Sequence, residues 1–186
     1  ILLPNGIQLY KFKKQKKING DYIIYTGSYL YKPNKDAIDY LNTCIMPKLI
    51  KKMPNLNLVL TGGGFKKKYP WVVDKGIVSK SDLYNFLFFS KCLCVPLKFG
   101  SGTRIKIIEA LSLGTIVISS KKGIEGINLK KTNPPFITDG DKNFINKILN
   151  VIKNNKKFKS KSNNLKKFYV ENYSMKNILK KFINEN

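Results

Sequence analysis

The chain has no histidine, one arginine, three cysteines and one tryptophan among its 186 residues. Without histidine, a zinc site would need three thiolates and a carboxylate, so we expect no metal centre. Cys92 and Cys94 are two apart in an apolar run, which predicts two small buried side chains on one face of a strand. An odd cysteine count without a secretion signal is typical of a reducing compartment and predicts a cytoplasmic protein. No apolar run approaches the roughly 18 residues that cross a membrane.

Positive charge is abundant, with 35 basic against 11 acidic side chains and a net charge of +24. Such a charge attracts polyanions at low salt. The lysines, however, are spread along the whole chain, and no nucleic-acid-binding motif accompanies them. We therefore expect no nucleic-acid partner. The 42% content of hydrophobic residues predicts one folded domain with a real core.

The single arginine, Arg104, lies directly after a loop with two glycines and before a helical pattern. In that pattern Ile105, Ile108 and Leu111 are expected on one face. A glycine loop that opens a helix beside basic side chains can hold a diphosphate, because free N–H groups and the helix dipole converge on the anion. The alternative is a surface turn before a core helix, with an arginine of no particular role.

Strands and helices alternate along the chain. The patterns predict strands at 1–6, 22–27, 57–61, 77–78, 92–97, 115–119 and 136–138. They predict helices at 34–53, 103–113, 141–153, 163–171 and 175–184. A further helix, second in chain order, is predicted to begin near residue 81 and to end at residue 90. Pro47 should kink or end the first helix, Ser81 and Asp82 should cap the second, and 154–162 should be a solvated loop. This alternation predicts a Rossmann-like, doubly wound parallel α/β sheet in a single domain.

Glycines follow three of the predicted strands: Gly27, then Gly62 to Gly64, then Gly100 and Gly102. The carboxyl ends of parallel strands meet at one edge of a sheet, where ligands of such folds bind. Each glycine alone could serve a turn. Together they predict one ligand crevice.

Six segments in order resemble the C-terminal, donor-binding half of retaining glycosyltransferases of the GT-B architecture (group 1, family 4-like). They are residues 3–7, 25–36, 53–64, 76–78, 96–114 and 122–126. The resemblance implies that 1–186 is a nucleotide-sugar-binding domain whose N-terminal acceptor domain is absent. Within it, 1–21 would be the interdomain segment and connector, and 154–186 would be C-terminal helices. Segment 122–126 would be a loop at a strand end.

The resemblance also implies roles for individual residues. Glu109 would accept hydrogen bonds from the ribose hydroxyls, although a glutamate that only favours a helix N-terminus is the alternative. The backbone of the glycine loop would approach the diphosphate, which the Arg104 and Lys106 side chains would neutralise, and Ile77 would pack near the base. The implied binding residues are Gly27, Ser28, Gly62, Gly63, Gly64, Val78, Ser101, Gly102, Thr103, Arg104, Lys106 and Glu109. No cofactor or metal is implied.

Two positions depart from the family pattern. Ser101 stands where many members have a second glutamate, and Ser28 and Lys32 stand where many have an arginine and a lysine. The expected partners are a UDP-, GDP- or other nucleoside diphosphate sugar and the acceptor domain, and the basic surface could also hold the enzyme against an anionic membrane. A non-catalytic nucleotide or phospho-sugar-binding module is the alternative, followed by a basic nucleic-acid-binding domain.

Overall fold

The computed structural model describes residues 6–8, 10–127 and 136–184. The strands are β1 (Tyr22–Thr26), β2 (Asn57–Thr61), β3 (Val72–Asp74), β4 (Leu93–Val95), β5 (Val117–Ser119) and β6 (Phe136–Ile137). The helices are α1 (Lys32–Tyr40), α2 (Met46–Ile50), α3 (Lys80–Phe89), α4 (Ile105–Ser112), α5 (Lys121–Ile124), α6 (Asp141–Lys153), α7 (Asn155–Tyr173) and α8 (Met175–Asn184). A π-helical segment, Leu41–Ile45, joins α1 to α2.

The strands form one six-stranded sheet in the order β3-β2-β1-β4-β5-β6, and every pair in it is parallel. Strands β1, β4 and β5 are buried along their whole length, as expected for a sheet covered by helices on both faces. Helices α3 and α7 both pack against α4, whereas α2 and the π segment pack against α6. The predicted doubly wound fold is confirmed. Its strand order reverses between β1 and β4, where such folds hold their ligands.

Several predicted bounds are confirmed and others change at the ends of elements. Helices at 141–153 and 175–184 and the strand at 57–61 agree with α6, α8 and β2. The strands predicted at 92–97 and 115–119 are shorter, because β4 and β5 pair only over three residues. Helix α4 begins at residue 105 and not at 103, since Arg104 has a non-helical backbone. The prediction for 1–6 falls on residues outside the described part, apart from Gly6.

The first predicted helix, 34–53, begins at Lys32 and is interrupted just before Pro47, as that proline predicts, but the sequence does not predict the π-helical form of the interruption. Proline at position 47 has no N–H for the helical ladder. The chain accommodates it with the π segment Leu41–Ile45, and Pro47 then lies in the first turn of α2, where no N–H is needed. The helix therefore changes register before Pro47 and ends at residue 50.

The strand predicted at 77–78 is wrong. The edge strand is β3, whose residues pair in register with β2 from Leu58 to Leu60. Gly76, at a φ of +61°, turns the chain after β3, and its carbonyl accepts from Gly62 N at 2.7 Å. Residues 77 and 78 thus lie beyond the end of β2, and Ile77 is 88% exposed.

The cap predicted for α3 is also wrong. Ser79 has an extended backbone, and its Oγ accepts from Asp82 N at 3.1 Å, so it is the N-cap. Ser81 lies inside the first turn. On α4, Ile105 is 43% exposed, and Ile107 is buried with Ile108 and Leu111. The buried face of α4 therefore begins with Ile107 and not, as predicted, with Ile105.

The C-terminal part contains more helix than predicted. Residues 154–162 were expected as a loop and 163–171 as a helix, but α7 runs unbroken from Asn155 to Tyr173. Lysine favours helices, and the helix is anchored to the body by Ser162 Oγ, which donates to the Thr115 carbonyl at 3.1 Å. Similarly, segment 122–126 is not a plain loop, because α5 ends within it at Ile124.

Two general features of the described part bear on function. The thiols of Cys92 and Cys94 are buried with their sulfurs 3.7 Å apart, as the sequence predicted, and burial raises the pKa of Cys94. No helix in the described ranges combines the length and the apolarity needed to cross a membrane.

Candidate functional site

The loops after β1 and β2 meet at the carboxyl edge of the sheet. Gly27 N donates to the Thr61 carbonyl at 2.8 Å. Gly62 has a φ of +113°, and a Cβ there would overlap the backbone of Gly27. The close approach of these two loops is therefore the physical reason for glycine at position 62.

The second half of the β2 loop, Gly63 and Gly64, lies against two exposed apolar side chains from the segments that follow β3 and β1. A Cβ on Gly63 would lie 3.0 Å from Ile77 Cγ1, and a Cβ on Gly64 would lie 3.0 Å from Leu30 Cγ. Leu30 is 83% exposed, and Val78, beside Ile77, is half-buried. Leu30 was not among the predicted site residues, because nothing local distinguishes an apolar residue in a loop.

Lys106 places a cation at the same edge. Its Nζ donates to Asn34 Oδ1 at 2.8 Å and to the Tyr25 hydroxyl at 3.1 Å, and lies 4.2 Å from the centre of the Tyr25 ring. A Cβ on Gly27 would lie 2.7 Å from this Nζ. Lys106 as a whole is partly exposed, and the hydroxyl and ring of Tyr25, the amide of Asn34 and the backbone of Gly27 lie around its ammonium. It makes no ion pair with any described residue.

The surroundings of Lys106 disfavour its charge. Burial, and secondarily the positive charge of Arg104, lower the pKa of Lys106 to about 7. Tyr25, whose pKa is raised by burial, stays neutral and donates to Asn34 Oδ1 at 2.8 Å. Both acceptors of the ammonium are thus uncharged. A buried cation without a counter-ion is a strong attractor for an anion.

Asn34 links the lysine to the β1 loop. Its side-chain Nδ2 donates to the Ser28 carbonyl at 3.0 Å, while its Oδ1 accepts from Tyr25 and Lys106. Neither Asn34 nor Tyr25 was predicted as part of the site. The feature that would have pointed to Asn34 is a polar residue within the buried face of α1.

Arg104 does not project from the glycine loop. It is 9% exposed, and its Nη1 donates to the carbonyls of Ser101 and Gly102 in its own loop. Its Nε is buried without a hydrogen-bond partner in the described part of the chain. The guanidinium therefore holds the loop in shape from within. Ser101 and Gly102 are exposed, and Thr103 is half-buried with its carbonyl accepting from Ile105 N at 3.0 Å.

Glu109 is a buried carboxylate on the second turn of α4. Its side chain is 8% exposed, and its Oε1 accepts from Lys80 Nζ at the start of α3. The position within the helix removes the alternative of a first-turn glutamate that only complements the dipole. Lys80 Nζ also lies 5.5 Å from the centre of the Tyr84 ring. Burial and then the negative charge of Glu109 raise the pKa of Tyr84 to about 12.

Lys80 contacts the candidate site residue Glu109, and sequence reasoning missed it because a lysine is unremarkable in a chain with 35 basic residues. The structure thus brings together Gly27, Ser28, Asn34 and Lys106 on one side of the sheet edge. Glu109 and Lys80 stand as a separate pair. The described residues include no group of three acidic, cysteine or histidine side chains that could hold a metal ion.

Comparison with known proteins decides the family. Residues 20–154 match the family described as Glycosyl transferases group 1. The chain belongs to this family. Relatives of this glycosyltransferase chain include an uncharacterized 44.6 kDa protein in the cps region of Klebsiella pneumoniae, 27% identical over 202 aligned residues. That match covers 100% of the chain and 52% of the Klebsiella protein.

Solved structures share the fold. Sucrose-phosphate synthase from Thermosynechococcus elongatus superimposes with a TM-score of 0.74 at 15% identity, covering 100% of this chain and 51% of that one. HepE of Anabaena, crystallised with UDP and glucose, superimposes with a TM-score of 0.67 at 15% identity, covering 89% and 48%. The chain spans about half the length of the relatives named here.

Proposed function

We propose that this chain is the donor-binding domain of a glycosyltransferase, and that it binds a nucleoside diphosphate sugar at the carboxyl edge of the sheet. The observation that carries the proposal is the buried Lys106 ammonium beside Gly27, which meets two neutral acceptors and, among the described residues, no carboxylate. An anionic diphosphate would supply the missing counter-charge. Membership of the family and the UDP bound to HepE support this choice of ligand.

In this proposal the diphosphate lies between the β1 loop and the glycine loop before α4. Lys106 contacts it directly, and the backbone N–H groups of Gly102 and Thr103, in the loop before α4, donate to it. Arg104 shapes that loop through the Ser101 and Gly102 carbonyls and adds positive charge from behind. Because negative charge grows on the diphosphate as the glycosidic bond breaks, these groups stabilise the leaving group.

The nucleoside would extend toward Glu109 and the β2 loop. Glu109 would accept hydrogen bonds from the ribose hydroxyls. Lys80, which donates to this carboxylate in the structure, must then share it with the ribose or move away from it. Ile77, 88% exposed, and Val78 pack against the base together with the glycines at 62–64. The exposed Ser101 would face the transferred sugar as an uncharged contact.

The activity of the whole protein requires an acceptor site elsewhere. We propose that residues 1–186 form the donor half, with 1–21 connecting it to an acceptor domain and 154–186 completing it with helices. The isolated chain should therefore bind the donor without transferring its sugar. Cytoplasmic location, glycan biosynthesis and a basic surface held against an anionic membrane belong to the same proposal, and liposome co-sedimentation tests the last.

The test is a thermal-shift and calorimetric panel at near-physiological salt with UDP, GDP, ADP, dTDP, CDP and a short oligonucleotide. We expect one diphosphate to raise the thermal midpoint more than the others do. The shift should be measurable, because a ligand at 100 times its Kd adds about 2.7 kcal/mol of stability. Lys106→Met should abolish the shift, whereas Lys52→Met, which removes an exposed charge between α2 and β2, should leave it unchanged. A flat nucleotide response with stabilisation by the oligonucleotide would overturn the proposal in favour of a basic nucleic-acid surface.

A non-catalytic nucleotide or phospho-sugar-binding module is the second candidate. It is favoured by Ser101, which gives the sugar no charged contact. The two candidates separate when the chain is joined to an acceptor domain from a longer relative. Donor hydrolysis or transfer in that hybrid supports the enzyme, and donor binding without either reaction supports the module.

A further inference from the structure

A cavity opens at the carboxyl ends of β4, β5 and β6, with a volume of about 330 Å³. That volume lies at the lower end of the range for pockets that hold small ligands. None of the residues assigned above to the donor site lines it. The cavity is therefore a separate place on the same edge of the sheet.

The floor of this cavity is apolar. Pro96 and Leu97 after β4 and Phe144 of α6 lie beneath the cavity, nearly buried, and the half-buried Tyr40 adds an aromatic ring to the lining. Such a surface packs against the C–H face of a sugar ring or another compact apolar group. It offers little to a fully hydrated inorganic ion.

The rim is basic. Lys98, Lys121 and Lys122 line the opening, against a single lining carboxylate, Asp139. Lys122 pairs with Glu125, and Lys98 Nζ lies 3.9 Å from Asp36 Oδ2. Lys121, in contrast, makes no ion pair with any residue that the structure describes. The rim therefore retains positive charge that a ligand could neutralise.

Hydrogen-bonding groups complete the lining. The Thr138 hydroxyl has no partner within the described part of the chain, whereas the Ser120 hydroxyl donates to the Leu97 carbonyl at 2.5 Å. Asp139 Oδ1 accepts only a long contact of 3.4 Å from Lys121 N. Thr138 and Asp139 are thus available to hydrogen-bond sugar hydroxyls.

We propose that this cavity binds an anionic carbohydrate, meaning a sugar that carries a phosphate or a carboxylate. The lysines bind the anionic group, the floor packs against the ring, and Thr138 and Asp139 bind hydroxyls. A bare anion would leave the floor and Asp139 unused, and a neutral sugar would leave the lysines unused. The argument does not depend on the donor assignment, so either proposal can fail without the other.

The test is a chemical-shift titration of the isotope-labelled chain with glucose 6-phosphate, glucuronate, glucose and inorganic phosphate, at near-physiological salt. Both anionic sugars should shift the amides of residues 121, 122 and 138–140, and should bind more tightly than glucose and phosphate. Lys121→Gln should weaken their binding about three- to fivefold, as removal of one exposed ionic contact does. Lys153→Gln, an exposed lysine at the end of α6, is the matched control and should change nothing.

Three results would overturn the proposal. The first is equal affinity for inorganic phosphate and for glucose 6-phosphate. The second is an equal loss of affinity in Lys121→Gln and Lys153→Gln, and the third is no chemical-shift change in the amides of residues 121, 122 and 138–140. Thr138→Val keeps the side-chain shape and provides a second variant, expected to weaken sugar phosphate more than phosphate. UDP binding measured on both variants should remain unchanged, which separates this cavity from the donor site.

Discussion

The low pKa of Lys106 predicts that donor binding depends on pH. The ammonium has a pKa of about 7 in the folded chain, against a usual value of 10.5, because it is buried and lies near Arg104. It is enclosed by Tyr25 and Asn34, which carry no charge in this range. If the bound diphosphate requires the ammonium, only the protonated fraction of the chain is competent to bind.

The magnitude follows from linkage. Between pH 6 and pH 8 the protonated fraction falls by about tenfold, so the affinity for a UDP-sugar should fall by about tenfold as well. A nucleotide sugar is the right ligand for this measurement, since a terminal phosphate titrates near pH 6 and would add its own dependence. Calorimetry across the pH range provides the affinities, and the uptake of a proton on binding at pH 8 appears as a dependence on the ionisation heat of the buffer.

Stability should change in the opposite direction over this range. A lysine with a lowered folded pKa is charged more readily in the unfolded chain, so the unfolded state binds more protons between about pH 7 and 10.5. Stability therefore increases as pH rises through this window. Relative to Lys106→Met, in which the other groups titrate alike, the free energy of unfolding should increase by about 2.5 kcal/mol from pH 6 to pH 9.

Two outcomes would refute the reasoning on Lys106. One is an affinity for the UDP-sugar that does not change with pH in the unmodified chain. The other is the same slope in Lys106→Met, which would place the titrating group elsewhere. Denaturant unfolding of both proteins at each pH shows whether the variant is folded and measures the stability difference in the same experiment.

Three further predictions concern other parts of the chain. Glu109→Gln should weaken the binding of UDP about tenfold and that of dUDP much less, because dUDP lacks one of the ribose hydroxyls that Glu109 would accept. Equal losses of affinity for UDP and dUDP in titration calorimetry would contradict this role. Ser79→Ala should lower the free energy of unfolding by about 1 kcal/mol through loss of the α3 cap, and Ser81→Ala should change it little; the reverse order in urea unfolding would count against the cap. Gly62→Ala should lower the thermal midpoint much more than Gly20→Ala, since both have positive φ but only Gly62 has no room for a Cβ; similar midpoints would show that contact is not the cause.

Local patterns were sufficient for most of the fold. A continuously apolar strand such as 57–61 and an amphipathic helix such as 141–153 are predictable because their periodicity lies within one element. The errors occurred where a partner decides the structure. Residues 77–78 are as apolar as β3, but the ladder with β2 selects Val72–Asp74. Residues 154–162 are polar enough for a loop, yet 155–162 are helical in α7, where Lys159 Nζ donates to the Phe88 carbonyl and Ser162 Oγ to the Thr115 carbonyl.

The sequence by itself determined the alternating fold and the family, and it predicted Arg104, Lys106 and Glu109 as the charged groups of one motif, because this information is carried within short segments. Only the tertiary structure decided what those charges meet. Lys106 contacts Tyr25 and Asn34, 81 and 72 residues away, and Glu109 pairs with Lys80, 29 residues away. Burial, counter-charge and pKa depend on neighbours in space, so a lysine without an ion pair and a glutamate held by one become distinguishable only when the chain is folded.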